Sequence, residues 1–421
     1  MLPSSTSTYL GRYIDDELDD LLDTLPGIAI DGPKGIGKTE TAARRAAKTF
    51  AIDNPATRQI VAADAHNLLT SAPVVLIDEW QHYPPLWDAA RRLIDAKSDT
   101  TFLFTGSATP IDGTDTHSGA GRIVSLRMRP FSLAERPSTQ PSVWISDLFA
   151  GRATITGHTH FELSDYARAV CETGLPDIFQ LSGRPHRTAI AGYVDRIIDR
   201  DIPDQGLNVR RPAALRAWLA AYAAASSTTA SYTTILNAAT PADDDKVAKS
   251  TALTYRDMLT KLWILDPVEA WLPNANPFKR LNTGPKHQLS DPGIAAHLLN
   301  LTPELLASAS PGTGEIFGQL FESLAVMTIR AASQAAEARV FHLRTKGGEH
   351  EVDAVAERYD GNVLGFEVKL AKTVSDSDVS DLHWLGDQIG ERLIDKVIIT
   401  TGKDAYRRSD GVAVVPLALL G

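Results

Sequence analysis

The chain has 421 residues, of which 43% are apolar and 22% are charged, and its formal net charge is −10. These values are typical of a globular protein with roughly two to four domains, and the acidic balance excludes general, sequence-independent coating of nucleic acid except through a local basic patch. The single cysteine, Cys171, excludes internal disulfides and Cys-rich zinc sites, and neither a signal peptide nor an apolar run of about 18 residues occurs, so we expect a cytoplasmic protein with no membrane partner.

The first 140 residues have the pattern of an α/β domain. Residues 12–25 carry apolar side chains at helical spacing, and the apolar run Gly27–Ile30 is followed by a Gly-rich turn and a helical stretch over 39–50. Three more short apolar runs are predicted to be strands, at Ile60–Ala63, Val74–Ile77 and Phe102–Phe104. Strands that alternate with helices predict a parallel sheet covered on both faces, so we assign residues 1–140 to one α/β domain.

The middle of the chain is predicted to be helical. Residues 141–205 are assigned as a helical lid or connector. Three further helices and a short apolar run follow, at Pro212–Ala225, Thr233–Ala239, Ala248–Leu262 and Trp263–Val268. Three helices followed by a short hairpin are the layout of a winged helix, which we assign to residues 206–300.

The last segment, residues 301–421, has a mixed pattern. A helix, three strands, a second helix and a fourth strand are predicted in that order, at Ile316–Ala332, Val340–Leu343, Glu351–Ala356, Val363–Leu370, Ser377–Ile389 and Lys396–Thr400. Gly347–Gly348 and Asp360–Gly361 supply the turn signals between the strands. This order predicts a second α/β domain.

One turn near the N-terminus fits the phosphate-loop pattern G-x-x-x-x-G-K-[ST] in full. Its residues are Gly32, Pro33, Lys34, Gly35, Ile36, Gly37, Lys38 and Thr39. Glycines let the backbone approach phosphates closely, and the N–H groups at the start of the following helix bind anions. Lys38 is expected to reach the β- and γ-phosphates, and the Thr39 hydroxyl to coordinate Mg²⁺. The sequence therefore predicts that these residues bind ATP with Mg²⁺ in a P-loop ATPase core.

Polar residues that follow later apolar runs complete the predicted ATPase site. Asp78, at the end of a buried strand, is assigned to the Mg²⁺ shell, and Glu79 is assigned to polarising the attacking water. Ser107, at the tip of the next strand, is assigned as a sensor of the γ-phosphate. Arg122 and Arg129 are candidates for the arginine that stabilises transition-state charge, either in cis or from a neighbouring subunit.

Acidic residues and a lysine on neighbouring strands of the last segment predict a nuclease-like site. Glu367 and Lys369 share a face of one strand, and Asp353 lies on the strand before it. If the polar faces coincide, the three residues form a D…E-x-K constellation, in which carboxylates bind Mg²⁺ and the lysine orients the activated water. Glu322, on the preceding helix, is expected to complete the metal shell. The alternative is an exposed Glu–Lys ion pair without cleavage.

Together these motifs resemble a large prokaryotic family of AAA-type ATPases related to the STAND-type signalling ATPases. The resemblance rests on the phosphate loop, on Asp78–Glu79, on the tip Thr105–Ser107 and on the segment Gly121–Glu135. Shorter matches continue along the chain, at Gly174–Asp177, Tyr193, Arg200–Ile202, Ala270–Trp271, Leu289–Asp291, Gly318–Glu322, Glu351–Asp353 and Glu367–Lys369. The family implies an ATPase core, a winged helix, and a C-terminal domain of unknown function with a fold like that of restriction endonucleases.

The leading functional hypothesis is an ATP-hydrolysing switch that controls DNA or RNA binding, or metal-dependent cleavage, by the C-terminal domain. The alternative is a signalling scaffold in which ATP drives homo-oligomerisation or partner binding and the C-terminal domain is catalytically inert. The acidic balance favours this second hypothesis. A small-molecule kinase with the same loop ranks third, because such kinases rarely carry a winged helix and a nuclease-like domain.

Overall fold

The computed structural model describes residues 9–106, 119–239, 248–271, 284–308 and 310–421. Ser107 lies outside these residues. Within them, no helix is long and apolar enough to cross a membrane. The fold is α/β, with a parallel sheet, a helical middle region and a second, mixed sheet, and this fold class is the one that the sequence predicts.

Among the described residues, the N-terminal domain has five parallel strands. These strands are β1 Gly27–Asp31, β2 Lys48–Ala51, β3 Val74–Asp78, β4 Thr101–Gly106 and β5 Val124–Arg127. The helices around them are α1 Tyr13–Leu22, α2 Lys38–Ala43, α3 Pro55–Ala63, α4 Ala65–Leu69 and α5 Pro85–Asp95. The strand order is β2-β3-β4-β1-β5, and the almost continuous burial of β1, β3 and β4 explains their apolar runs.

Two predicted elements of this domain are wrong. Ile60–Ala63 is not a strand but the end of α3, because Asn54 caps the helix through its side chain and Pro55 occupies the first turn. These start signals outweigh the apolar run, whose Val61 simply faces the core. Residues 39–50, predicted to be one helix, are divided between α2 and the edge strand β2.

The middle region is helical. Its helices are α6 Ile145–Phe149, α7 Leu163–Cys171, α8 Pro176–Phe179, α9 Gly183–Arg196 with a π-helical turn at Ile197–Asp201 and a last turn at Ile202–Asp204, α10 Pro212–Ala224, α11 Tyr232–Ala238, α12 Lys249–Lys261, α13 Pro292–Leu298 and α14 Pro303–Ala307. After α12, antiparallel bridges join Leu265 to Leu289 and Val268 to Lys286. We call residues 265–268 and 286–289 the ribbon. Three helices followed by this ribbon match the predicted order, and the assignment as a winged helix stays a prediction.

The C-terminal domain carries the second sheet. Its elements are α15 Thr313–Ala335, β7 Ala338–Arg344, β8 Glu351–Arg358, β9 Val363–Val368, α16 Ser380–Ile389, β10 Leu393–Thr400, β11 Asp404–Arg407 and β12 Ala413–Pro416. With β6, Gly157–His158, the strand order is β6-β11-β12-β10-β9-β8-β7. The predicted order of helix, three strands, helix and strand is confirmed. The sequence analysis missed β11 and β12, which have only four residues each.

The C-terminal sheet takes its outermost strand from the middle of the chain. Strand β6 pairs antiparallel with β11, and Val143 pairs with Leu420. Tyr166 packs edge-on against Phe321 of α15, within one core that is shared by the middle and C-terminal regions. The boundaries at 140, 205 and 300 stay a prediction, and these contacts show that residues 143–158 pack with the last domain.

Candidate functional site

The phosphate loop leaves the carboxyl end of β1 and turns back into α2. Gly35 and Gly37 have φ angles of 74° and 92°, a left-handed backbone that glycine adopts without steric cost. At Gly32 an added Cβ would lie 2.4 Å from the backbone oxygen of Met128, so only glycine fits there without a shift. The glycines therefore let the loop backbone adopt the tight turn that a phosphate-binding loop needs.

Lys38 is buried at the start of α2, and its ammonium donates to two carbonyl oxygens of its own loop. Nζ lies 2.8 Å from the oxygen of Gly32 and 2.7 Å from that of Pro33. Burial lowers the pKa of Lys38 to about 8, although the nearby Glu79 carboxylate opposes the shift. The group is thus largely charged at neutral pH, beside the cradle where phosphates would bind.

The residues predicted to bind Mg²⁺ meet at the edge of the sheet. Thr39 Oγ1 donates to Asp78 Oδ1 at 2.8 Å, and Thr105 Oγ1 donates to the same oxygen at 2.5 Å. A hydroxyl and a carboxylate beside a phosphate loop are the oxygen ligands that Mg²⁺ prefers, so these residues fit MgATP. Glu79 lines the same cleft with a left-handed backbone (φ 52°), and its carboxylate accepts a hydrogen bond from Gln81.

The cleft beside the loop has a volume of about 530 Å³, and part of its wall comes from outside the first domain. Pro176, Asp177 and Gln180 line it from α8 and the residue after it, and Tyr9 lines it from the N-terminal side. The only sequence signal for this wall was the short match at Gly174–Asp177. The middle region therefore lines the cleft in which a nucleotide would bind.

Arg12 holds the loop from behind, and the sequence analysis did not single it out. One terminal nitrogen donates to the backbone oxygen of Ile36 at 2.9 Å, and the other donates to that of Arg129 at 2.6 Å. Its Nε lies 3.1 Å from Glu135 Oε1. The sequence offers no signal for this role, because an arginine at the start of an amphipathic helix is usually solvated.

The two candidate catalytic arginines are placed elsewhere. Arg122 pairs with Asp95, with 2.9 Å between Nε and Oδ1, and 41% of its side chain is exposed. Arg129 Nε lies 2.9 Å from Asp266 Oδ2, and its Nη1 lies 3.2 Å from Gln334 Oε1. Among the described residues, the lining of the nucleotide cleft includes neither arginine. The assignment of Arg122 or Arg129 as the catalytic arginine, in cis or in trans, stays a prediction.

Three arginines converge on Asp266, and we call these four residues the Asp266 junction. The carboxylate lies 2.9 Å from Arg129, 3.0 Å from Arg330 and 3.9 Å from Arg127. Burial alone would raise the pKa of Asp266, but the three guanidinium groups hold it well below its ordinary value. Arg127 and Arg129 belong to the first sheet and the turn after it, Asp266 to the ribbon and Arg330 to α15. One largely buried carboxylate thus connects the three regions of the chain.

The residues predicted for the C-terminal site lie close together. Asp353 Oδ2 accepts from the backbone N–H of Val368 at 2.9 Å, and Lys369 Nζ donates to Glu367 Oε2 at 3.0 Å. We call the four acidic residues here the carboxylate centre: Glu322, Glu351, Asp353 and Glu367. Burial, with the Asp353 charge nearby, raises the pKa of Glu322 to about 8 and that of Glu367 well above its ordinary value. The sequence predicted this convergence, and the roles assigned to the residues stay predictions.

Lys286, which the sequence analysis did not assign, points into the carboxylate centre. Its Nζ lies 2.7 Å from Glu322 Oε1, 2.9 Å from Asp353 Oδ1 and 3.2 Å from Glu351 Oε1. Within the described ranges, no group of three or more His, Cys, Asp or Glu side chains is arranged to hold a metal ion. An ammonium already occupies the position among these oxygens, so the centre in this arrangement does not fit Mg²⁺.

Replacing Gly32 with alanine is expected to weaken ATP binding by about 5- to 150-fold. The new Cβ would lie 2.4 Å from the oxygen of Met128 and 2.6 Å from Ile36 Cδ1, so the loop must shift. Overpacking of this kind costs about 1–3 kcal/mol, and about 1.4 kcal/mol corresponds to a factor of ten. Isothermal titration with MgATP measures the change. Gly192→Ala in α9, where the Cβ meets open space, is the control, and equal affinities in the two variants would contradict the prediction.

Comparison with protein families finds three matches along the chain. Residues 26–136 match an AAA domain. Residues 163–305 match a domain of unknown function (DUF8612), and residues 317–420 match another domain of unknown function (DUF4143). The first match agrees with the phosphate loop and the parallel sheet, and identifies an ATP-binding domain of the AAA type.

Comparisons with whole proteins add little. The search of curated proteins found no match. Among solved structures, the replication initiator DnaA bound to AMPPCP and single-stranded DNA is similar at 12% identity, over 59% of this chain and 86% of that chain, with a TM-score of 0.25. A TM-score this low carries no argument about the present chain.

Proposed function

We propose that this chain, in which residues 26–136 match an ATP-binding AAA domain, is an ATP-hydrolysing switch that controls nucleic-acid binding by the rest of the chain. In this proposal Lys38 and the loop backbone hold the phosphates, and Thr39 and Asp78 hold Mg²⁺. The bound ion neutralises charge on the phosphate oxygens during transfer. Glu79, which lines the same cleft, polarises the attacking water.

The same proposal assigns the other regions. Residues 141–205 are a connector, 206–300 a winged helix, and 301–421 a domain with a fold like that of restriction endonucleases. The three helices and ribbon support the second assignment, and the order α15, β7, β8, β9, α16, β10 supports the third. On α12, the exposed Lys249 and Thr254 and the half-buried Lys261 would supply polar and basic contacts to nucleic acid.

The Asp266 junction is the observation that carries the proposal. Asp31, which precedes the phosphate loop, pairs in register with Arg127 of the neighbouring strand β5. Arg127 and Arg129 then approach Asp266 on the ribbon, and Arg330 of α15 bonds the same carboxylate. A shift of the loop on nucleotide binding would therefore displace groups that both other regions share. The cluster is largely buried, and two of its three arginines bond the carboxylate directly, so it favours discrete arrangements over gradual deformation.

A second contact links the phosphate loop directly to the middle region. Lys34 Nζ lies 2.5 Å from Asp201 Oδ1, and the Tyr193 hydroxyl donates to the backbone oxygen of Lys34 at 3.1 Å. Both partners lie on α9 and its continuation. A change in the conformation of the phosphate loop would thus alter contacts with the middle region at both Asp201 and Tyr193.

The scaffold hypothesis remains the second candidate, because one observation favours it. Lys286 fills the carboxylate centre, and a C-terminal domain that holds no metal ion there would be inert toward phosphodiesters. In that case ATP would control assembly or the binding of a partner protein. The net charge of −10 also suits a protein partner better than a polyanion.

Wild-type protein is expected to change its affinity for nucleic acid about tenfold or more between a non-hydrolysable ATP analogue and ADP. Fluorescence anisotropy with labelled single- and double-stranded DNA and RNA measures the dissociation constants. Asp266→Asn keeps the size of the side chain but removes its charge, and is expected to bind nucleotide while losing this change.

Asp147→Asn is the matched control, because Asp147 of α6 forms an exposed ion pair with Arg152, with 3.5 Å between Oδ1 and Nη2. It should retain the nucleotide-dependent change. Light scattering on the same samples separates the two candidates, since a change of mass with ATP and no nucleic-acid binding would support the scaffold. If neither affinity nor mass responds to nucleotide, the switch proposal is wrong.

A further inference from the structure

Lys286 is a buried lysine that the proposed switch does not use. Only 1% of its side chain is exposed, and its ammonium contacts three members of the carboxylate centre. Burial alone would lower the pKa of Lys286, but Asp353, Glu322 and Glu351 together raise it well above its ordinary value, so the group is charged. A long side chain is rarely buried to this extent unless its charge is fully paired.

Two backbone hydrogen bonds of the ribbon position Lys286. The N–H of Lys286 donates to the oxygen of Val268 at 2.9 Å, and the N–H of Val268 donates to the oxygen of Lys286 at 2.9 Å. Next to it, the N–H of Trp271 donates to the oxygen of His342 on β7, and the Trp271 indole N–H donates to Glu357 on β8. The ammonium is therefore held by a strand pair that is itself fastened to the C-terminal sheet.

A divalent ion and this ammonium cannot share the centre. An ion bound to Glu322 Oε1 and Asp353 Oδ1 would take the two oxygens that Lys286 Nζ already contacts at 2.7 Å and 2.9 Å. Two cations that share the same carboxylate oxygens in a buried site would repel each other strongly. Lys369 does not relieve this conflict, because it pairs with Glu367 from the more exposed side.

We propose that Lys286 is the resident cation of the carboxylate centre, and that it excludes divalent metal ions from the C-terminal domain in this conformation. The ion pairs between Lys286 and the carboxylate centre then connect the ribbon to the C-terminal sheet. The acidic residues balance the ammonium and do not activate water. This inference stands independently of the proposed switch, because it concerns metal binding in the absence of nucleotide.

Mn²⁺ bound per chain, counted by electron paramagnetic resonance without nucleotide, tests the proposal on the intact protein. Wild type, Asp353→Asn and Glu367→Gln are expected to bind the same number of ions, because the centre holds none. The nucleotide site contributes equally to all three proteins. One more ion in wild type than in either variant would overturn the proposal.

Lys286→Met gives the complementary test, since methionine keeps most of the length of the side chain and removes its ammonium group. This variant is expected to gain one Mn²⁺ site, and the gain should disappear in the double variant Lys286→Met/Asp353→Asn. Lys396→Met, which removes a half-buried lysine that contacts His383, is the control and should gain none. A folded Lys286→Met protein without the extra site would overturn the proposal. If the variant does not fold, the comparison of wild type with Asp353→Asn and Glu367→Gln still decides the question.

Discussion

Replacing Lys38 with alanine is expected to lower kcat for ATP hydrolysis by about 100-fold or more. Its ammonium is the buried cation at the phosphate cradle, with Nζ 2.8 Å and 2.7 Å from the backbone oxygens of Gly32 and Pro33. Removing one preorganised charge-stabilising group from a buried site typically costs a factor of about 10²–10³ in rate. Release of inorganic phosphate at saturating MgATP measures the effect.

A lysine of the same domain provides the control. Lys48 lies on the edge strand β2, and its ammonium bonds the exposed Ser71 hydroxyl at 3.0 Å. Lys48→Ala should hydrolyse ATP at the wild-type rate. If Lys38→Ala retained a rate within about threefold of wild type, the assignment of the phosphate loop as the catalytic site would have to be abandoned.

The variant Asp266→Ala is expected to lose about 3–5 kcal/mol of unfolding free energy. The reason is that the Asp266 junction would keep three largely buried guanidinium groups, those of Arg127, Arg129 and Arg330, without their shared carboxylate. Truncating one partner of a buried pair costs more than the pair itself contributes, because the remaining charge is desolvated and unpaired. Urea unfolding followed by tryptophan fluorescence measures the loss, and Trp263, which packs on Arg127, lies at the junction.

The same carboxylate gives the stability a pH dependence with a defined sign. Burial would raise the pKa of Asp266, but Arg129, Arg330 and Arg127 lower it below its unfolded value of about 3.9. Its stabilisation is therefore complete above about pH 4 and is lost progressively as pH falls below that value. The difference in unfolding free energy between wild type and Asp266→Ala should shrink in that acidic range.

Asp257→Ala is the matched control for this prediction. Its pair with Arg256 lies on the surface of α12, with 59% of the Asp257 side chain exposed, and surface pairs contribute little. The control should unfold like wild type. A loss in Asp266→Ala no larger than that in the control would mean that the junction does not hold the regions together.

Local patterns were enough to predict the fold class and the loop, because their causes are local. The phosphate loop needs glycine at fixed positions within eight residues. Gly32 allows the close approach of a neighbouring backbone, and Gly35 and Gly37 allow positive φ angles, so the spacing of glycines in the sequence is enough to identify the loop. Asp353, Glu367 and Lys369 converge because neighbouring strands align alternate residues on one face. The prediction of a strand at Ile60–Ala63 also fails for a local reason, because the Asn54 side chain caps helix α3.

Long-range pairing could not be predicted in the same way. An arginine beside an apolar strand looks the same whether it will meet a phosphate or a carboxylate far along the chain, and Arg129 meets Asp266, 137 residues later. Lys286 likewise lies 67 residues before Asp353, within a segment that carries no recognisable pattern. Arg129 and Lys286 are both charged residues whose partners are defined only by tertiary structure.

The outer strand β6 has a consequence for biosynthesis. All five strands of the first sheet lie before residue 128, so that sheet can form early, whereas β6 pairs with β11 and Val143 pairs with Leu420. At translation rates of about 5–20 residues per second, the segment 143–158 must wait roughly 12–55 s on the ribosome for its partners. During that interval the apolar side chains of residues 143–158 lack the C-terminal residues against which they pack in the folded protein. We therefore expect chaperones of the nascent chain to bind this segment.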